Sequence, residues 1–381
     1  MNFNERPFIV IWEMTQACDL ACIHCRASAK PMRHPLELST AEGQRLIDQV
    51  ADLKVPVLVL SGGDPLKRPD IYRLVEYATM RGVRASLTPS ATPLLTREAL
   101  AGLKRAGLAR LALSLDGPNA LAHDAFRGIS GSFDLTLQAI RSAHELGIPL
   151  QINTTVSRQN FSDFDEIARL VEVLDIVLWS VFFLVPTGRG QTEDLTTAQE
   201  FEEIFRKLHR MSQRVRFDIK TTEAQHYRRF VAQARAAKRR GAAARTRPIR
   251  EIQANRSDSY ATEEGTPLGR NTADGIGRAP RGINDAKGFV FVSHIGEVYP
   301  SGFLPLSAGN LRGQSLGKIY QESPLFTSLR DARNLKGKCG ACEFREICGG
   351  SRARAYALTG DAFAEEPCCT YQPKAVASVA A

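Results

Sequence analysis

The sequence predicts an α/β fold, a partial (β/α)6 TIM-like barrel followed by a small cysteine-rich C-terminal domain. Three observations lead there. Apolar runs of strand length alternate with segments of helical period through the first half of the chain. The residues with chemical character fall just after those strands, where barrel folds place their chemistry. The cysteines form two tight groups, three early and five late, in a chain of 381 residues that is 43% hydrophobic. That size allows one large domain and a smaller one.

The first strand is the apolar run at 8–12. Leu46, Ile47, Val50 and Leu53 share a helix face and lead into a strand at 57–60, with Gly62, Gly63, Asp64 and Pro65 directly after it. A helix at Ile71–Met80 precedes a strand at 84–88, and a helix at 97–106 precedes one at 110–115, with Asp116 next. Later units end in strands at 150–156 and 176–185, the latter followed by the turn that carries Arg189. Six such units in about 210 residues argue for a parallel sheet closed or nearly closed as a barrel, short of the about 250 residues of a full eight-unit one.

We divide the chain into a barrel at 1–222, a basic helix and flexible linker at 223–285, and a C-terminal unit at 286–381. The net charge of +9 is concentrated in residues 228–281, which hold 13 Lys/Arg against 5 Asp/Glu. That stretch lacks the aromatic support of a nucleic-acid patch, so it reads as a solvated linker or as an anchor for acidic substrate groups. After it, 289–292 and 296–299 form a hairpin turning at 294–296. No run is long enough to span a bilayer and the N-terminus has no secretory pattern, so we expect a cytoplasmic protein without a membrane partner.

In a reducing compartment, clustered cysteines of a chain this size are metal ligands rather than disulfides. Cys18, Cys22 and Cys25, spaced C-x3-C-x2-C, offer three soft thiolates in one loop, and no further cysteine occurs before Cys339. Three thiolates hold three irons of a [4Fe-4S] cube and leave the fourth open to a small molecule. A zinc ion is the alternative, although His24 sits between two ligands where it can hardly turn inward to complete a tetrahedron. The late group, Cys339, Cys342 and Cys348 with Cys368 or Cys369, gives C-x2-C-x5-C and a distant fourth thiolate. Spacing alone fits a zinc site and a closed cluster equally.

The early spacing resembles the signature of the radical S-adenosylmethionine (radical SAM) superfamily, and the tail resembles the SPASM auxiliary-cluster extension of its maturases. Within that group, the stretches from Cys348 to Tyr356, from Thr359 to Asp361 and from Glu365 to Pro373 are most similar to enzymes of haem and modified-haem synthesis. The resemblance implies a SAM-binding [4Fe-4S] cluster on Cys18, Cys22 and Cys25, and a 5′-deoxyadenosyl radical that abstracts a substrate hydrogen. It assigns Gly62, Gly63, Asp64 and Pro65 to the SAM amino group, with Asp64 departing from the usual Glu. His24 packs beside adenine, Ser114 and Asp116 stand where ribose hydroxyls bind, Asn153 and Thr155 face the same mouth, and Arg189 can reach a carboxylate.

The resemblance also implies one auxiliary [4Fe-4S] cluster on Cys339, Cys342, Cys348 and Cys369. A third cluster is not expected, because Ser301 and Ser351 stand where relatives with an extra cluster carry cysteine. The implied substrate is a haem-type tetrapyrrole, or alternatively a ribosomal peptide, and the implied electron donor is a flavodoxin or ferredoxin. A non-catalytic zinc protein that binds nucleic acid is a remote third reading.

Overall fold

The computed structural model describes residues 1–245 and 282–374. Seven parallel strands run side by side in chain order: β1 (Ile9–Glu13), β2 (Val57–Ser61), β3 (Ala85–Leu87), β4 (Arg110–Ser114), β5 (Leu150–Val156), β6 (Leu178–Phe183) and β7 (Asp218–Thr222). Between them lie the helices α1 (Thr40–Asp52), α2 (Ile71–Met80), α3 (Arg97–Arg105), α4 (Ala120–Arg127), α5 (Ser132–Glu145), α6 (Phe164–Glu172) and α7 (Ala198–Ser212). The alternation read from the sequence is therefore present, and β7 extends the six-unit barrel by one strand. β7 escaped the sequence reading because Asp218, Lys220, Thr221 and Thr222 make no apolar run, and all five of its residues are only half-buried.

After α8 (His226–Arg245), the described chain resumes with the expected hairpin, β8 (Phe289–Val292) and β9 (Glu297–Tyr299), and a short β10 (Gly309–Asn310). The helix expected at the start of the basic segment is present as α8, whereas the linker at 246–281 lies outside the described residues. β8 pairs in parallel with β1, Ile9 opposite Phe289 and Val292 opposite Trp12, so the segment from 286 enters the barrel sheet itself. The strand order is β10-β9-β8-β1-β2-β3-β4-β5-β6-β7. α9 (Leu316–Glu322), α10 (Pro324–Arg330), α11 (Gly337–Gly340) and α12 (Arg352–Thr359) complete the described chain.

Local signals explain the helices. Ser39 and Glu42 form a reciprocal capping box at the start of α1, whose buried face carries Gly43, Leu46, Ile47 and Val50. Thr197 and Glu200 do the same for α7, which buries Phe201, Ile204, Phe205 and Leu208. The main core lies between helices and sheet and includes Val10, Trp12, Leu58, Leu111, Ile152 and Trp179. Each large apolar side chain so buried contributes about 1.5–3 kcal/mol. Because strand side chains alternate, the opposite face of each strand points into the barrel. None of the described helices is long and apolar enough to cross a membrane.

Candidate active site

The loop after β1 carries Cys18, Cys22 and Cys25, and its neighbours hold it by backbone contacts. The Gly63 and Asp64 amides donate to the Thr15 and Ala17 carbonyls at 2.7 Å each. A Cβ at Gly62 would strike the Thr15 carbonyl, and one at Gly63 would lie 2.7 Å from the Gln16 carbonyl. These two glycines thus let the loop after β2 press against the cysteine loop. On the other side, the Arg189 amide donates to the Cys25 carbonyl at 2.9 Å, and Gly188 at φ +63° leaves no room for a side chain against the Cys25 and Arg26 carbonyls.

Around the thiols the structure collects polar and cationic groups. Cys18 Sγ lies 3.2 Å from Ser90 Oγ and accepts from the Leu20 amide, while burial pushes its thiol pKa up. Arg127 points Nη1 at Cys22 Sγ, 3.6 Å away, and pairs through Nη2 with Asp116. Asp116 is buried, accepts from the Thr155 amide at 2.6 Å, and is held above the usual carboxylate range by burial against the pull of Arg127. His24 packs its ring against Phe126 at 4.3 Å. Burial, with Arg127 and Arg189 nearby, drives its pKa well below that of a free imidazole, so the ring is neutral at pH 7.

The remaining expected contacts are distributed around this mouth. Asp64 is buried and accepts from the Leu66 amide and the Thr92 hydroxyl at 3.1 and 2.9 Å, so its carboxylate braces the loop, and burial raises its pKa. Pro65 opens a 3-10 turn at Pro65–Lys67. Ser114 ends β4 in register with Asn153 on β5, and Asn153 accepts from Gln151 at 2.7 Å. At this mouth, Nδ1 of His24, Nε of Arg127, and Nε and Nη2 of Arg189 are buried without a partner among the described residues. Unsatisfied buried donors at one mouth are the mark of a site shaped for a polar ligand. The donor set therefore fits SAM beside a three-thiolate cluster.

Arg127 and Arg26 were not found by reading the sequence. Arg26 pairs with Glu13 at 2.8 Å, lies 4.2 Å above the Phe291 ring, and donates to the Gly302 carbonyl, tying the cysteine loop to the C-terminal segment. Glu13 also meets His294 Nδ1 at 3.0 Å. Their signal is three-dimensional; no spacing rule marks them.

In the tail, Cys339, Cys342, Cys348 and Cys369 line one cavity together with His226, Arg229 and Glu366. Backbone amides of Glu366, Phe344 and Gly350 donate to the sulfurs of Cys339, Cys342 and Cys348 at 3.2, 3.4 and 3.4 Å. Such amide donors stabilise thiolate charge, and the donor set fits a closed four-thiolate centre. Burial pushes the Cys348 thiol up to about 12, so loading this centre releases protons. Cys368 is buried, its amide bonded to Glu366, and it does not line the cavity. Among the described residues no group of three His, Cys, Asp or Glu side chains is positioned to hold a single metal ion, and all eight thiols are free.

Ser301 and Ser351 meet at one carboxylate. Both hydroxyls donate to Glu223, Ser301 at 3.2 Å to Oε1 and Ser351 to Oε2. Glu223 follows β7 with a left-handed backbone, φ 56°, and burial beside Asp285 pushes its pKa up to about 8.

Three comparisons bear on this arrangement. Residues 12–171 match the Radical SAM superfamily. The chain is 39% identical over 370 residues to the AdoMet-dependent heme synthase of Methanosarcina barkeri, covering 97% of this chain and 98% of that one. It is 30% identical over 371 residues to the PqqA peptide cyclase of Rhodopseudomonas palustris, covering 96% and 88%. In structure it is similar to Streptococcus suis SuiB bound to S-adenosylmethionine, with a TM-score of 0.68 at 16% identity over 96% of this chain and 78% of that one.

Proposed function

The chain belongs to the radical SAM superfamily, and we propose that it acts on a haem-type tetrapyrrole, oxidising a propionate side chain so that its carboxyl group leaves as CO2 and its two other carbons remain as a vinyl group. The observation that carries the substrate reading is the end-to-end similarity to a relative named as a heme synthase. Conversion of one propionate removes a hydrogen atom, an electron and CO2.

The protein is a radical SAM enzyme, in which Cys18, Cys22 and Cys25 would hold a [4Fe-4S] cluster and Cys339, Cys342, Cys348 and Cys369 an auxiliary one. With SAM bound, the first centre supplies one-electron cleavage of SAM and hydrogen abstraction, and the second supplies a place for the remaining electron. The chain's own residues do the positioning. Arg189 presents an unpartnered guanidinium face suited to the SAM carboxylate. Gly62, Gly63, Asp64 and Pro65 shape the loop expected to receive its amino group. Ser114, Asp116, Asn153 and Thr155 set the ribose side of the mouth, with the neutral His24 ring on the adenine side. Arg127 offsets thiolate charge at Cys22 while fixing Asp116. The first electron comes from a flavodoxin or ferredoxin.

The test is anaerobic incubation of reconstituted protein with SAM, reductant and an iron porphyrin bearing propionates. Loss of CO2 and two hydrogens per propionate is expected in the product mass. A porphyrin left unchanged while SAM is cleaved, together with a mass change in a supplied precursor peptide, would instead establish the second reading. That reading draws its support from the similarity to a peptide cyclase.

A further inference from the structure

The barrel interior holds a cation that none of these roles uses. On β4, β5 and β6, Leu111, Leu113, Ile152, Trp179 and Val181 pack into the core under the helices, so the intervening residues face inward. Register then sets Ser114 beside Asn153, Asn153 beside Ser180, and Ser180 beside Lys220, one polar row across four strands. Its first two members belong to the SAM side of the mouth, and Lys220 closes the far end.

Beyond its place in the β6–β7 ladder, Lys220 makes no side-chain hydrogen bond or ion pair among the described residues. Burial, with Arg110 and Arg228 close by, lowers its pKa to about 8. The acidic group that acts on it is Glu223, whose two oxygens are taken by Ser301 and Ser351 and whose own pKa is pushed up to about 8. An ammonium crowded by two guanidinium groups is costly unless an anion joins it. Lys220 is only partly enclosed by protein, so the interior remains reachable at this point.

We propose that Lys220 seats a carboxylate of the substrate, across the polar row from SAM, and so orients the side chain that reacts. The assignment rests on the tetrapyrrole reading and adds a specificity-determining residue to it. SAM also carries a carboxylate, and the experiment separates the two sources.

Reconstituted protein, with SAM omitted, is titrated with an iron porphyrin carrying four propionates and with its tetramethyl ester, following the Soret band. Lys220→Met is expected to raise Kd for the tetra-acid about tenfold or more, the size of one charge-assisted hydrogen bond. The ester's Kd is expected to stay unchanged, and Lys220→Arg to restore most of the tetra-acid affinity. SAM cleavage without substrate should match wild type in both variants. Unchanged tetra-acid affinity in Lys220→Met, an equal loss for the ester, or lost SAM cleavage would each overturn the assignment. Wild type that binds neither porphyrin would bring down the tetrapyrrole reading first, and this assignment with it.

Discussion

Glu223 shows what one residue can do to a site. Ser301 and Ser351 lie 78 and 128 residues from it in the chain, yet both end on its carboxyl. Its pKa of about 8 exceeds that of an unfolded glutamate, so between about pH 4.5 and 8 the folded state holds a proton the unfolded state has lost. Stability from this group is therefore full at low pH and falls as pH rises, by at most about 1.4 kcal/mol per unit. We predict that Glu223→Gln removes this slope, so that thermal melts of wild type and variant diverge from pH 5 to pH 8 in the variant's favour. Parallel melting curves would contradict it. At Cys22 the expectation is different: Cys22→Ala should abolish 5′-deoxyadenosine release yet leave circular dichroism unchanged, because the residue sits on a loop at the mouth, outside the main core. The grouping of the cysteines was legible in the sequence, since three of them fall within eight residues of one loop. Arg127 and Glu223 were not, because their partners are joined only by the fold.

At the scale of elements, the cysteine loop is a wedge between two neighbours that approach by backbone alone. Gly188 has a positive φ, and its missing side chain is what lets the Cys25 and Arg26 carbonyls close in. Gly188→Ala carries a conformational penalty of about 1–2 kcal/mol and must also displace the loop. We expect iron bound at the first centre to fall by at least about half while the second centre's iron is retained, a contrast that separate EPR signals read directly. Strands β1 to β6 were legible because they are apolar runs between amphipathic helices. β7 was not, since four of its five residues are polar and all five are half-buried, and neither was the pairing of β8 with β1, since a parallel partner can lie anywhere along the chain.

For the whole molecule, Arg354 joins barrel to tail. Fully buried, it pairs with Glu366 at 3.1 Å and donates to the carbonyls of Leu184 after β6 and Glu223 after β7. Arg354→Leu strands the Glu366 carboxylate, and we predict about 3–5 kcal/mol of lost stability by denaturant titration. The number of clusters is also a property of the whole. With both serines committed to Glu223, wild type should bind about eight irons and Cys348→Ala about four, by iron and sulfide analysis with Mössbauer spectra. About twelve irons in wild type would refute the two-cluster assignment. The sequence division at 286 followed the end of the basic segment; from there the chain runs back into the sheet, through β8.

That return has a consequence during synthesis. On the ribosome, β1 emerges early and soon finds β2, but its other edge stays bare until Phe289 and its neighbours have been translated. The strand leading into Cys18, Cys22 and Cys25 thus waits, half-paired, until residue 289 of 381 has been made. We therefore expect iron to enter this loop only after β8 has joined the sheet, and a stalled or truncated nascent chain to offer an open strand edge to aggregation in its place.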